Sequence, residues 1–155
     1  MSLTNVPNHN YNVIGWREWI SLPDLGIARI KAKIDTGART SALHAFSLHA
    51  FRRKGVRKIR FSLHPLQRNL QKVVMCEADI IDQRIVCDSG GHRQRRYVIR
   101  TTLALGTESW PIELTLTNRD PMLFRMLLGR NALDNRFLVL PTASYLLGKR
   151  KRVPA

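Results

Sequence analysis

The stretch from Ile27 to His44, IARIKAKIDTGARTSALH, constrains the fold of this chain more than any other. Ile30, Ala32 and Ile34 alternate with Arg29, Lys31 and Lys33, a period of two that predicts a half-buried strand. That strand runs directly into Asp35-Thr36-Gly37-Ala38. A carboxylate delivered by a rigid apolar strand has a fixed position. The Thr36 hydroxyl can bond to nearby backbone, and Gly37 lets the chain turn tightly beside the acid. Two readings stand side by side: a plain turn after an edge strand, or a carboxylate presented for chemistry.

The rest of the chain reads as further strands. Asn12 to Ile20 predicts a first strand, closed by turn signals at Leu22-Pro23-Asp24 and Gly26. Thr40 to Ala50 is ambiguous, Arg52-Arg53-Lys54-Gly55 is a basic turn, and Lys58 to Leu63 alternates cleanly up to Pro65. Residues 66–72 form a polar loop, and Val73 to Val86 reads as two short strands around Ile80 to Gln83. Tyr97 to Leu105 and Trp110 to Thr117, rich in β-branched residues, predict a hairpin across Gly106-Thr107-Glu108. Met126-Leu127-Leu128-Gly129-Arg130 is an apolar run ending in glycine, Asn131 to Asn135 suits one helical turn, and Phe137 to Leu140 is another strand. Ser144 to Leu147 suits a last one. Strands at such short spacing predict an all-β barrel or sandwich with one short C-terminal helix. The expected organisation is a disordered lead-in at 1–10, one domain over 11–148 and a basic tail at 149–155.

Charge bears on the partner. Lysine and arginine number 26 against 11 acidic residues, a formal net charge of +15, which points to an anionic partner. Two cysteines, Cys76 and Cys87, are too few for a disulfide scaffold and are expected to pack in the core. The opening MSLTNVPNHN has no apolar run of the signal-peptide kind, and no stretch approaches bilayer length. The expectation is a soluble, reduced, cytoplasmic protein without membrane contact.

Several separated motifs carry a resemblance. IDTGA, then Ser89-Gly90-Gly91 leading into Tyr97-Val98-Ile99, then LLGRNAL at 127–133, resemble in order the retropepsins, the small homodimeric aspartic peptidases of retroviral type. GWREWISLPDLGIARIKAKIDTGARTSALH, FSLHPLQR, YVIRTTL, WPIELTLTNRDPM and FRMLLGR are similar to the bacterial retropepsin-like family, which also carries the label ATP-dependent zinc protease. The resemblance implies a closed retropepsin-like barrel, with Asp35 catalytic, Thr36, Gly37 and Ala38 in its loop, and Gly129 and Arg130 supporting that loop from behind. It also implies a glycine-rich flap at Ser89, Gly90 and Gly91. Relatives act beside a ligase that adds glutamates to a ribosomal protein, so the implied substrate is an acidic tail, with ribosomal association as a further expectation.

Aspartic peptidase chemistry needs two adjacent carboxylates, one protonated and one polarising a water. Asp35 supplies one. The second comes from a twofold mate or from Asp88-Ser89-Gly90 in the same chain. The mate is preferred, because only Leu127-Leu128-Gly129 offers the closing segment that each lobe requires. Arg93, Arg95, Arg96 and Arg100 follow the flap tip and are candidates for holding an acidic peptide, since guanidinium forks match carboxylates. No cofactor and no metal site is expected. His44, His49, His64, His92 and the cysteines are the conceivable zinc ligands, but neither HExxH nor CxxC occurs. A zinc-dependent peptidase, and a non-catalytic basic β-domain binding RNA or the ribosome, are the alternatives.

Overall fold

The computed structural model describes residues 11–87, 90–118 and 124–147. Strand β1 (Asn12–Leu22) ends in a 3-10 turn at Pro23–Leu25, where Gly26 adopts φ 71° and reverses the chain into β2 (Ile27–Ile34). The strands β3 (Ser41–His44), β4 (Phe46–Arg53), β5 (Val56–Leu63), β6 (Val74–Cys87), β7 (Arg93–Leu105) and β8 (Glu108–Thr117) follow. Strand β9 (Met126–Leu128), helix α1 (Arg130–Leu133) and strand β10 (Phe137–Ser144) complete the described elements. The all-β expectation with one short helix is met.

The strands form one sheet in the order β10-β1-β2-β9-β3-β8-β7-β6-β5-β4. A pairing of Ser21 in β1 with Ala104 in β7 curls this sheet into a partly closed ring. Inward alternation fills the ring: Ile30 and Ala32 of β2, Leu43 of β3, Leu103 of β7, Leu114 of β8 and Leu128 of β9 are all fully buried. Beyond the ring, β6 is shared between two partners. Its first half pairs with β5 (Lys58↔Asp79 to Leu63↔Val74) and its second half with β7 (Ile80↔Ile99 to Cys87↔Arg93).

Three local expectations need correction, and one open stretch is settled. Val74–Cys87 is one strand of 14 residues, not two; the polar stretch near Ile80 and Asp82 is a bulge that lets the strand pass from one partner to the other. Ser144 ends β10, and Tyr145–Leu147 is not a strand. There the backbone N–H groups of Leu146 and Leu147 donate to the buried carboxylate of Glu18 instead, at 2.8 and 2.9 Å. Cys76 is buried as expected, but Cys87 is exposed, because it lies at the far end of β6 where the hairpin leaves the ring. Finally, the ambiguous stretch after Thr40 makes two strands, β3 and β4. The lead-in at 1–10 and the tail at 149–155 lie outside the described residues.

Candidate active site

The site is built where three strands end together. Strand β9 lies between β2 and β3, parallel to β2 (Ala32↔Met126, Ile34↔Leu128) and antiparallel to β3 (Leu43↔Met126). The loop from Asp35 to Thr40 joins β2 to β3 and must therefore arch over the end of β9. At its start the Asp35 N–H donates to the Leu128 carbonyl at 2.8 Å, which pins the carboxylate-bearing residue to the sheet. The Gly37 and Ala38 N–H groups then donate to Asp35 Oδ1, at 3.0 and 3.2 Å. The carboxylate is thus oriented by backbone. Its Oδ2 accepts no hydrogen bond among the described residues.

Glycine is needed here for closeness. A Cβ on Gly37 would stand 3.2 Å from Asp35 Oδ1. On Gly129 it would stand 2.5 Å from the Thr40 carbonyl oxygen and 2.9 Å from that of Ala38. Past Gly129 the chain is bonded to the loop rung by rung. The Gly129 N–H donates to Ser41 Oγ, Arg130 N–H to the Ala38 carbonyl and Asn131 N–H to the Arg39 carbonyl, at 3.0, 2.8 and 3.0 Å. The Arg130 guanidinium reaches the Thr36 and Gly37 carbonyls at 3.0 and 3.1 Å. Asp35, Thr36, Gly37, Ala38, Gly129 and Arg130 are therefore gathered in one place. The Thr36 hydroxyl makes no hydrogen bond among the described residues; its carbonyl, held by Arg130, is what fixes it. Ser41 was not foreseen, and a hydroxyl directly after the loop was the signal available in the sequence.

The proposed flap sits at the tip of the β6–β7 hairpin. Cys87↔Arg93 is the last pair among the described residues, Gly91 takes φ 82° with open space around it, and Gly90 lies in a turn. Ser89 and Asp88 lie outside the described residues. The four arginines that follow do not act as one cluster, because strand alternation divides them. Arg93 and Arg95 are exposed on one face. Arg96, on the other face, is half-buried and donates to Gln94 Oε1 at 3.1 Å; burial holds its pKa below the ordinary guanidinium value. Arg100 shares that second face. It lines a groove of about 410 Å³ together with Thr40, Arg84, Glu113 and Asn131, beside the Asp35–Thr40 loop.

Among the described residues no three His, Cys, Asp or Glu side chains converge as a metal set would require. His64 stacks on Phe46, His49 lies against Phe51, and His44 is buried at the end of β3. No helix among the described residues is long and apolar enough to cross a membrane.

The comparisons with known proteins decide the family. The RimB-like family, described as retropepsin-like aspartic endopeptidase RimB, matches residues 13–150. This chain belongs to the RimB-like family. Proteins named probable alpha-L-glutamate ligase are also similar: one from Shewanella pealeana is 45% identical over 141 residues, 91% of this chain and 31% of the relative. Another, from Parasynechococcus marenigrum, is 52% identical over 136 residues, 88% of this chain and 29% of the relative. The chain therefore spans about a third of the length of the curated relatives it matches. The crystal structure of a Legionella pneumophila protein of unknown function superposes with a TM-score of 0.73 at 26% identity, covering 88% of this chain and 98% of that one.

Proposed function

We propose that the RimB-like chain is an aspartic endopeptidase whose catalytic pair is Asp35 of one subunit and Asp35 of a twofold-related copy. The observation that carries this reading is the state of the carboxylate. One oxygen of Asp35 is committed to loop amides and the other is open, in a loop locked from behind by Gly129 and Arg130. Such a carboxylate is held in place by backbone while one oxygen stays available to substrate and water, which is the geometry a general acid or base requires. With two facing each other, the ionised member takes a proton from water as its oxygen attacks the scissile carbonyl carbon. The protonated member gives its proton to the carbonyl oxygen. The tetrahedral intermediate then collapses: the protonated member gives its proton to the amide nitrogen, one hydroxyl of the intermediate returns a proton to the ionised member, and the C–N bond breaks to leave an acid and an amine.

The substrate we propose is an acidic, glutamate-rich tail, such as one on a modified ribosomal protein. The net charge of +15 favours an anionic substrate. The relatives are named for ligating glutamate, and a hydrolase that removes such residues is the opposing chemistry. The deciding experiment incubates wild type and Asp35→Asn with oligoglutamate-tailed and neutral peptides, with and without a strong chelator. Chelator-resistant cleavage by wild type alone supports the reading. Cleavage that the chelator abolishes and zinc restores would sink it.

A specific observation supports ribosomal docking as a second role. The β4–β5 hairpin turns through Lys54 and Gly55 at φ 50° and 81°, and it places Arg52 directly across from Arg57. Like charges so paired repel, and neither Lys54 nor Arg57 has a carboxylate partner among the described residues. A phosphate backbone would relieve that repulsion. Binding to ribosomal RNA that falls steeply with salt, and less steeply in Arg52→Gln/Arg57→Gln, is the expected result.

A further inference from the structure

Strand β2 carries a second feature, at the end away from Asp35. Arg29, Lys31 and Lys33 alternate with the buried Ile30, Ala32 and Ile34, so all three cations share the outer face. Strand pairing places Trp19 opposite Lys31 and Arg17 opposite Lys33. The Arg29 guanidinium lies over the Trp19 ring at 4.5 Å and the Lys31 ammonium at 5.1 Å. Both cations are held by an aromatic surface, and no carboxylate is paired with them among the described residues. Arg29 Nη2 is fully buried yet has no hydrogen-bond partner. That nitrogen is closed to solvent, so it is the remainder of the guanidinium and the Lys31 ammonium, both lining a groove, that can meet an oxyanion.

Trp19, Arg29 and Lys31 form one wall of a groove of about 570 Å³; Lys33 lies on the same face beyond it. Its opposite wall is the 65–72 loop, shaped by Asn69, whose Oδ1 accepts the Gln71 and Lys72 N–H groups. Lys72 contributes a further cation to the lining, and no acidic residue lines the groove. The edge of β2 here is open, because β9 pairs only with Ala32, Lys33 and Ile34. An extended peptide can therefore add to residues 28–31 by strand pairing. Alternate side chains of an extended chain repeat at about 6.6–7 Å, and Arg29, Lys31 and Lys33 share that repeat. A nucleobase is a poorer match: the Trp19 ring is already stacked with Tyr145 and covered by Arg29.

We infer that the outer face and open edge of β2 form an exosite for an acidic peptide, holding the part of a glutamate-rich tail that lies away from the scissile bond. The inference rests on the peptidase reading above. From Ile27 to Ile34 the strand spans roughly 23 Å, so the exosite serves tails of about seven residues or more beyond the cut and is unused by shorter ones. Arg29 and Lys31 select for carboxylates; neither is a catalytic residue.

The test separates binding from cleavage by using the full chain with Asp35→Asn. Anisotropy of a labelled hepta-glutamate peptide gives Kd, and the indole N–H resonances report the contact. Arg29→Gln/Lys31→Gln should raise Kd by about tenfold or more. The charge-matched control Arg57→Gln/Arg136→Gln, in which Arg136 likewise covers a tryptophan, Trp110, at 4.5 Å, should change it little. The Trp19 resonance should shift on titration and the Trp110 resonance should not, with unchanged melting curves showing that the variants are folded. Equal weakening in both double variants, or a still Trp19 resonance, overturns the exosite. So does a single-stranded RNA that binds with this Arg29 and Lys31 dependence while the peptide does not bind. Peptide binding at Trp19 with no cleavage by the active chain would instead leave the exosite standing and remove the peptidase reading.

Discussion

Gly129 packs against Thr40 so closely that any side chain at position 129 would enter the Thr40 carbonyl group, at 2.5 Å. The contact is backbone against backbone, so it has no flexible side chain to yield. It couples the chain before α1 to the loop that carries Asp35. Gly129→Ala should therefore destabilise the fold by about 3 kcal/mol and take activity with it. Gly37→Ala should behave differently, since the methyl would crowd Asp35 Oδ1 at 3.2 Å in an exposed loop. Its melting temperature should stay near that of wild type while kcat falls. Thermal unfolding alongside peptide turnover separates the two cases; equal stability loss in both would refute the distinction.

Arg130 works on the same loop from its other side. Its guanidinium bridges the Thr36 and Gly37 carbonyls, next to the oriented carboxylate. Losing that clamp loosens Asp35 without removing it. Arg130→Met should lower kcat on the order of tenfold with KM little changed, because loop order matters most where geometry is tightest. A change confined to KM would place Arg130 in substrate binding instead.

Much of this site is legible in the sequence because it is local. The alternation in β2 predicts the strand, and Asp35-Thr36-Gly37 sits one step beyond it. The support by Gly129 and Arg130 is not local; it entered through resemblance, and the parallel pairing of β9 with β2 accounts for it. Pattern alone fails where a strand changes partners. Polar residues near Asp82 mimic a turn in β6, whereas they fall at a bulge between two half-strands. It fails again at Glu18. A glutamate beside Arg17 and Trp19 reads as surface, yet it is buried and accepts N–H groups from Gly15, Leu146 and Leu147, and nothing in its neighbourhood announces partners so distant in the chain. The flap arginines show a third failure, since a run of like residues conceals which face each one occupies.

Assembly can be tested with mixed subunits. If each active site takes Asp35 from two chains, adding an equal amount of Asp35→Asn to wild type, with time for exchange, should reduce turnover to about half that of the wild type alone. The pH profile should be bell-shaped, since one proton must be shared by the pair. An unchanged rate after demonstrated exchange would mean that each chain holds its own pair, and Asp88 would become the second acid.

The two cysteines should differ in chemistry. Cys76 is buried, its thiol donates to the Leu25 carbonyl at 3.4 Å, and burial pushes its pKa up to about 11. Cys87 is exposed at the base of the flap turn. A thiol reagent at neutral pH should label Cys87 in the folded protein and Cys76 only after unfolding. Because the folded state keeps the Cys76 proton longer than the unfolded chain does, this group's contribution is complete below about pH 9. It is lost as pH rises toward 11, amounting to on the order of 2 kcal/mol. Cys76→Val should flatten that alkaline decline. Denaturant midpoints from pH 8 to 11 would show it, and parallel curves for the two proteins would refute it.

The last prediction concerns how the flap selects charge. Arg93 and Arg95 are exposed on one face of β7, whereas Arg96 is half-buried and tied to Gln94, which itself bonds Thr117 and Asn118. Exposed guanidinium groups near the flap tip would attract an anionic peptide in its ground and transition states alike, and salt would screen that attraction over about 10 Å at 0.1 M. Arg93→Gln/Arg95→Gln should therefore raise KM for oligoglutamate several-fold, leave kcat in place and spare a neutral peptide. Raising the salt should reproduce this in the wild type. Arg96→Gln removes a group engaged in packing and a side-chain network, so its effect should appear in stability and fall on both peptides equally. Measuring kcat/KM for acidic and neutral peptides of one length, at low and high salt, distinguishes these outcomes. If salt acts equally on both peptides in the wild type, the arginines merely solvate an exposed strand, and the acidic-tail substrate is refuted while the peptidase reading stands.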